Sequence, residues 1–333
     1  MKIALIGNRG HISYVFAGLH RVPDVEISAI SSGCEDSPEN LLAACRRFGQ
    51  DPVVYDNWRT MVDETKPELV CVDGPFELHA QMAAELLEKN IHVFCEKPIA
   101  LDREQLSLIE NARKNSKAHI RSMVGLRYSD AFLHAYRLIQ NGAVGKIKFI
   151  RTQKSYKLGK RPDFYKQRST YGGTIPWVGS HAVDWMIFYS KGEFESVTAF
   201  QNREDNQNHG DLEVVAHALF RMKNGIIADA GIDYLRPSTA VSHGDDRVRI
   251  AGTDGVIEVI GNQIRLINDS GDIVINPPPA DRDVFSDFIL ELTTGRTALV
   301  DDKETMKLAE AVILAQESAD REQTVFFEQE ILK

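Results

Sequence analysis

The sequence predicts an α/β fold: a doubly wound parallel sheet first, then an α+β domain on a large, open, mostly antiparallel sheet. Two observations carry this. Over the first 120 residues, short apolar runs with little polar alternation are separated by helix-spaced segments, as strands covered on both faces require. Beyond about residue 124 the rhythm changes to longer, alternating strands joined by turn pairs.

Taken in order, KIALI (2–6), VEISAI (25–30), VVY (53–55), LVCVDG (69–74), HVFCEK (92–97) and AHIRSMV (118–124) are strands, with helices over 12–20, 38–48, 57–64, 77–89 and 103–115. Parallel strands need such crossovers, and helices supply them. A helix over 129–141 stops at Asn141-Gly142, a C-terminal stop signal. KIKFIRTQKSY (146–156) alternates in character and is a strand with one solvated face. A helix over about 180–190 follows Gly179. The segments SVTAFQN, EVVAHALFRM, GIIADAGIDY, RVRIAGT, GVIEVIG, QIRLIND and DIVINP then form a strand series, with turns such as Asn224-Gly225 and Asp254-Gly255. Pro277-Pro278-Pro279 interrupts the series, and helices over 281–294 and 302–319 close the chain. The expected domains are 1–123 and 124–333.

A chain of 333 residues suits two domains at roughly 150 residues each. Hydrophobic content of 43% and charged content of 26% exclude disorder, collagen and a simple coiled coil. No run approaches the ~20 apolar residues of a membrane span. The first strand begins at Lys2, which leaves no room for a secretory signal, so a cytoplasmic location is expected. Cys34, Cys45, Cys71 and Cys95 stand singly with no CxxC pair, which points to reduced thiols and no metal site.

Net charge is −9, but residues 127–168 carry a local balance of +9. A basic stretch in an acidic chain can steer an anionic small molecule, or it can be a solvated face or a subunit contact. A general nucleic-acid binder carries a wider basic surface, so neither nucleic acid nor membrane is an expected partner.

Three segments carry chemistry. The turn Gly7-Asn8-Arg9-Gly10-His11-Ile12 follows the first strand and opens a helix, where a G-x-G-x-x-G fingerprint would bind a pyrophosphate. Gly7 and Gly10 are present, while Arg9 and Ile12 stand at the second and third glycine positions. Arg9 either pairs with a phosphate or fills the cofactor's space. The second strand ends in Ser31-Ser32-Gly33 without the ribose-binding acid of NAD proteins, so NADP is permitted; Glu35 or Asp36 can still reach the ribose. Glu96-Lys97-Pro98 lies at the end of the fifth strand, where a lysine can donate to, or exchange protons with, a substrate oxygen. In Gly172–Asp184, His181 falls in the first turn of the expected helix, which favours neutral imidazole, and Asp184 lies three residues on along the same face.

The order and spacing of these segments resemble the glucose-fructose oxidoreductase and inositol dehydrogenase family (Gfo/Idh/MocA). Its members open with a Rossmann domain, place EKP after the fifth strand and carry GG…D-x-G-x-H-x-x-D in the second domain. HVFCEKPIAL matches closely, Gly74–His79 looks like the turn after strand four, and Asn141–Lys146 resembles the family's N-G-x-x-G-K. The resemblance implies a dehydrogenase that uses NAD or NADP on a sugar, inositol or related polyol, anionic if the basic residues serve it. Lys97 would bind the substrate oxygen and His181 would take its proton, with Asp184 as a further candidate. The cofactor would lie along residues 7–12, Ser31, Ser32, Pro75, His79, Glu96 and Lys97. Arg127, Tyr156, Arg161, Tyr165 and Trp177 join the substrate side. Trp177 stands where family members often have Asp, and an indole can stack on a sugar face. Homodimers or homotetramers through the second sheet are also implied. Two other classes stay open on this fold: a catalytically silent nucleotide or sugar sensor, and a lyase or glycosidase using transient NAD oxidation.

Overall fold

The computed structural model describes residues 1–34 and 36–327, which form two compact units. Glu35, one of the two acids considered for the ribose, lies outside the described residues. No helix among the described residues is long and apolar enough to cross a membrane.

The first unit comprises Met1–Gly125 and Arg282–Ala309. Its strands are β1 (Lys2–Ile6), β2 (Glu26–Ser31), β3 (Val53–Tyr55), β4 (Leu69–Val72), β5 (His92–Cys95) and β6 (Ile120–Ser122). Between them run α1 (Ser13–Gly18), α2 (Glu39–Arg47), α3 (Trp58–Thr65), α4 (His79–Glu88) and α5 (Arg103–Lys114). The strands pair in parallel in the order β3-β2-β1-β4-β5-β6, the doubly wound arrangement expected. All four residues of β4 are buried, which explains a run with no polar alternation. Where the sequence offers a capping side chain the helix starts there: Asn57 Oδ1 accepts from the N–H groups of Arg59 and Thr60, and Asp102 Oδ1 from that of Gln105.

The second unit comprises Leu126–Asp281 and, among the described residues, 310–327. It begins with α6 (Asp130–Gln140) and β7 (Ile147–Tyr156), followed by α7 (Arg168–Tyr171), a π-helical turn over Ile175–Gly179, and α8 (Ser180–Ser190). The strands β8 (Phe194–Asn202), β9 (Val215–Met222), β10 (Ile227–Asp233), β11 (Gly244–Gly252), β12 (Gly255–Ile260), β13 (Gln263–Asn268) and β14 (Gly271–Ile275) complete the series. The chain then forms α9 (Val284–Thr294), α10 (Asp302–Arg321) and a short β15 (Val325–Phe326). Among the described residues the sheet order is β14-β13-β12-β11-β7-β10-β9-β8-β15. Its pairs are antiparallel except β7 with β10, where Ile227 meets Phe149 in a parallel register.

One face of this sheet packs on α8, which is buried all round from Ser180 to Tyr189 and is accordingly apolar on nearly every side. On α6, Phe132 stacks on Trp185 at 4.5 Å and Tyr136 on Phe188 at 4.2 Å. On the opposite face, Leu219, Asp229, Arg151, Arg249, Glu258 and Arg265 stand side by side in register across six strands, and Phe200 and Ile227 on that face are exposed.

Candidate active site

In the first unit, winding reverses between β1 and β4, and the carboxyl ends of these strands bound the crevice where open α/β sheets take ligands. The turn after β1 crosses the end of β4 at Gly7, whose φ is +77°. A Cβ there would lie 2.5 Å from the Asp73 carbonyl oxygen, so only glycine passes. Beyond it, Gly10 N and Ile12 N donate to the two carboxyl oxygens of Asp73 at 2.7 and 2.8 Å. Sequence reading missed Asp73; the signal was an acid closing an otherwise apolar strand. Burial, reinforced by the charge of Glu96, pushes its carboxyl well above the ordinary range.

Glu96 and Lys97 follow β5 and are both buried. His11 Nδ1 and Glu96 Oε1 are 2.7 Å apart, and Lys97 Nζ lies 3.9 Å from the same oxygen. The buried ring of His79 places Nδ1 2.9 Å from the Pro98 carbonyl and Nε2 3.1 Å from that of Gly74. A neutral ring donates to only one of them, and burial lowers the pKa of this histidine. His79 thus ties the turn after β4, with Pro75, to the turn that carries Lys97.

Ser31 ends β2 and Ser32 follows it; both are buried, and Ser32 Oγ donates to the Cys34 carbonyl at 2.6 Å. Arg9 reaches this turn: its Nε donates to Asp36 Oδ2 at 2.7 Å, and this contact holds the Asp36 carboxyl below its ordinary value. The crevice suits a dinucleotide in strand order, in the close glycine crossing and in having a cation beside the β2 turn. It departs from the fingerprint in that two turn N–H groups are already committed to Asp73.

In the second unit, Trp177 lies in the π-helical turn, which runs into α8 without a break: Thr174 and Gly179 both have right-handed helical dihedrals. His181 is therefore about two turns inside a continuous helical segment. The helix-terminus argument for a neutral imidazole loses its basis, because those N–H groups are no longer free. His181 is 1% exposed. Three residues on, Asp184 receives Arg127: Nε donates to Oδ2 at 2.9 Å, Nη2 donates to Oδ1, and the guanidinium stacks over Phe188 at 4.8 Å. Both partners are buried. Arg127, considered above for substrate contact, and Asp184, considered for catalysis, are thus joined in one buried pair.

The other substrate-side residues gather around the end of β7. Arg161 stacks over Tyr234 at 4.8 Å and over Tyr165 at 5.8 Å, and Tyr165 meets Trp177 edge-on at 6.0 Å. Tyr156 stacks on His243 at 4.8 Å and lies 6.2 Å from Tyr234. Buried Lys154 sits over Tyr156 and is paired with Asp246 at 2.7 Å; burial lowers its pKa. Tyr234 and His243 were not singled out from the sequence, since each stands in or beside a strand without a motif.

Comparison with known proteins matches residues 1–122 to the Gfo/Idh/MocA oxidoreductase family with NAD-binding Rossmann fold, and residues 132–258 to that family's C-terminal domain. A solved chain from Thermotoga maritima, provisionally named an oxidoreductase, superposes with a TM-score of 0.94 at 38% identity, covering 98% of this chain and 100% of that one. Levoglucosan dehydrogenase of Pseudarthrobacter phenanthrenivorans is 31% identical over 50% of this chain and 43% of its own length. Inositol 2-dehydrogenase of Salmonella typhimurium is 23% identical over 56% and 53%. The chain thus spans about half the length of these two curated relatives. With both domain models matched in order and a full-length structural relative at 38% identity, the chain belongs to the Gfo/Idh/MocA oxidoreductase family.

Proposed function

We propose that this protein is an NAD(P)-dependent dehydrogenase that oxidises a CH–OH group of a sugar, inositol or related polyol. The observation that carries the reading is the placement of buried Lys97, beside Glu96 and His11, at the carboxyl edge of the parallel sheet. That edge is where a bound cofactor's ring is presented in such folds. The names of the two dehydrogenase relatives support the substrate class. When bound, the nicotinamide supplies the hydride acceptor. The chain's own residues do the rest. Lys97 binds the substrate oxygen and stabilises negative charge as it develops, and His181 takes the hydroxyl proton. The Arg127–Asp184 pair fixes the helix that carries His181. Residues 1–123, packed with 282–309 in one unit, form the cofactor domain, and the remainder of 124–333 forms the substrate and assembly domain. The exposed sheet face with Phe200, Leu219 and Ile227 joins subunits into dimers or tetramers.

The test is NAD(P)H formation by the purified protein on a panel of sugars, inositols and polyols with either cofactor. Reduced cofactor in proportion to product supports the reading. Product without net NAD(P)H overturns it in favour of a lyase or glycosidase with transient oxidation, and binding without any product favours a sensor.

The cofactor side makes its own prediction. The end of β2 lacks an acid, and Asp36, held by Arg9, takes that place. Asp36 selects NAD by repelling a 2′-phosphate, while Arg9 is kept neutralised. Asp36→Ala releases Arg9 and shifts the ratio of NADPH to NADH affinity by about tenfold toward NADPH, the scale of one charge-assisted hydrogen bond. Calorimetric titration of both nucleotides checks it; an unchanged ratio rejects this pair as the determinant. Arg9→Gly then weakens NADPH binding to the Asp36→Ala protein.

A further inference from the structure

Near the end of β7 stand two buried donors that the fold does not use. Tyr234 is 3% exposed and its hydroxyl has no partner in the structure. Arg161 donates from Nη2 to the Lys157 carbonyl at 2.9 Å, but its buried Nε–H has no acceptor. Buried donors are nearly always paired, so two neighbours left over point to an acceptor that arrives with a ligand. The guanidinium lies over the Tyr234 ring, 4.8 Å from its centre, so the two donors belong to side chains in direct contact.

The charge around them that is left without a carboxylate partner is positive. Arg161, Lys157 and Lys154 together depress the His243 pKa, beyond the effect of burial, and only Asp246 opposes them. Asp246 is already matched by Lys154, and Glu213, the other acid of this region, accepts from Tyr171, Thr174 and Arg168. Arg161 and Lys157 have no carboxylate partner among the hydrogen bonds described. The Arg161 guanidinium also lies over the Tyr165 ring, and Tyr165 meets Trp177 edge-on.

Resting on the dehydrogenase reading above, we propose that the substrate is an acidic polyol, a sugar or cyclitol carboxylate. Arg161 Nε–H and Tyr234 O–H donate to its carboxylate, and Tyr165 and Trp177 pack on its carbon skeleton. Two donors fit the two oxygens of a monoanion. A phosphate, with nearly two charges and three acceptor oxygens, would leave demands that this pair does not meet.

The experiment is calorimetric titration of the full-length protein with aldonates and uronates, with their neutral counterparts (glucose, galactose, myo-inositol), and with glucose 6-phosphate. We expect at least one carboxylate to bind about tenfold or more tighter than its neutral counterpart, with affinity falling as salt rises. Arg161→Gln removes this advantage, Arg161→Lys restores part of it, and Tyr234→Phe weakens the acid without changing the neutral sugar. NADH affinity, unchanged in all three variants, reports that they are folded. Equal binding of acid and neutral partners, tighter binding of the phosphate, no binding by any carboxylate, or an acid preference that survives Arg161→Gln each overturns the proposal. Its failure is separable from that of the parent reading. A neutral polyol oxidised with no acid preference sinks the acidic substrate alone. An Arg161-dependent acid that binds and yields no reduced cofactor sinks the dehydrogenase alone.

Discussion

Lys97→Ala lowers turnover by at least about a hundredfold and leaves NAD(P) affinity nearly intact, and His181→Ala does the same; this is the range of a positioned acid, base or oxyanion partner. The expectation rests on burial. Lys97 is 2% exposed and His181 1%, and a cation or imidazole withdrawn from water needs a reason that surface lysines and histidines do not have. The readout that separates chemistry from folding is the split between kcat and nucleotide affinity. A structural role would move both or neither, whereas loss of an interaction made only in the transition state lowers kcat alone. Near-wild-type rates in both variants would remove these residues from the mechanism.

The second large effect is on stability. Arg127→Met leaves the Asp184 carboxylate buried without its guanidinium, which costs about 3–5 kcal/mol, the usual result of halving a buried ion pair. The melting temperature falls by on the order of 10 °C for a domain of this size. Replacing both partners, Arg127→Met with Asp184→Leu, recovers most of that loss, because no charge is then stranded. Thermal and urea unfolding of the two variants decide the matter. A single variant as stable as the parent would show that the pair contributes nothing net; a double variant as weak as the single one would show that shape, not charge, sets the cost.

Periodicity made most of this molecule legible. The strands at 2–6 and 53–55 and the helix at 180–190 coincide with their elements in full, because apolar runs between amphipathic segments leave few other arrangements. What escaped was non-local. Hairpin signals specify neighbours in sequence, so they could not reveal that β10, laid down after β8 and β9, returns beside β7 in parallel. The π-helical turn was hidden by Pro176 and Gly179, which mark a boundary in local terms, although the helical backbone continues through both. The same division holds at the candidate site. Lys97 and His181 stood out through motif and position. The partner of Arg127 lies 57 residues away, and the Arg161–Tyr234 contact joins two elements that no local pattern links.

The first unit is not one continuous stretch of chain. Arg121 on β6 pairs with Glu291 of α9 and Asp302 of α10, the Ile120 amide donates to Asp302, and Phe94 of β5 packs against Phe285 and Phe288. During synthesis these partners leave the ribosome only after the entire intervening segment of the second unit has emerged. A nascent chain that has reached Gly125 therefore holds Arg121 without its carboxylates and one aromatic flank of β5 uncovered, so the first unit completes its core only once residue 309 has been translated.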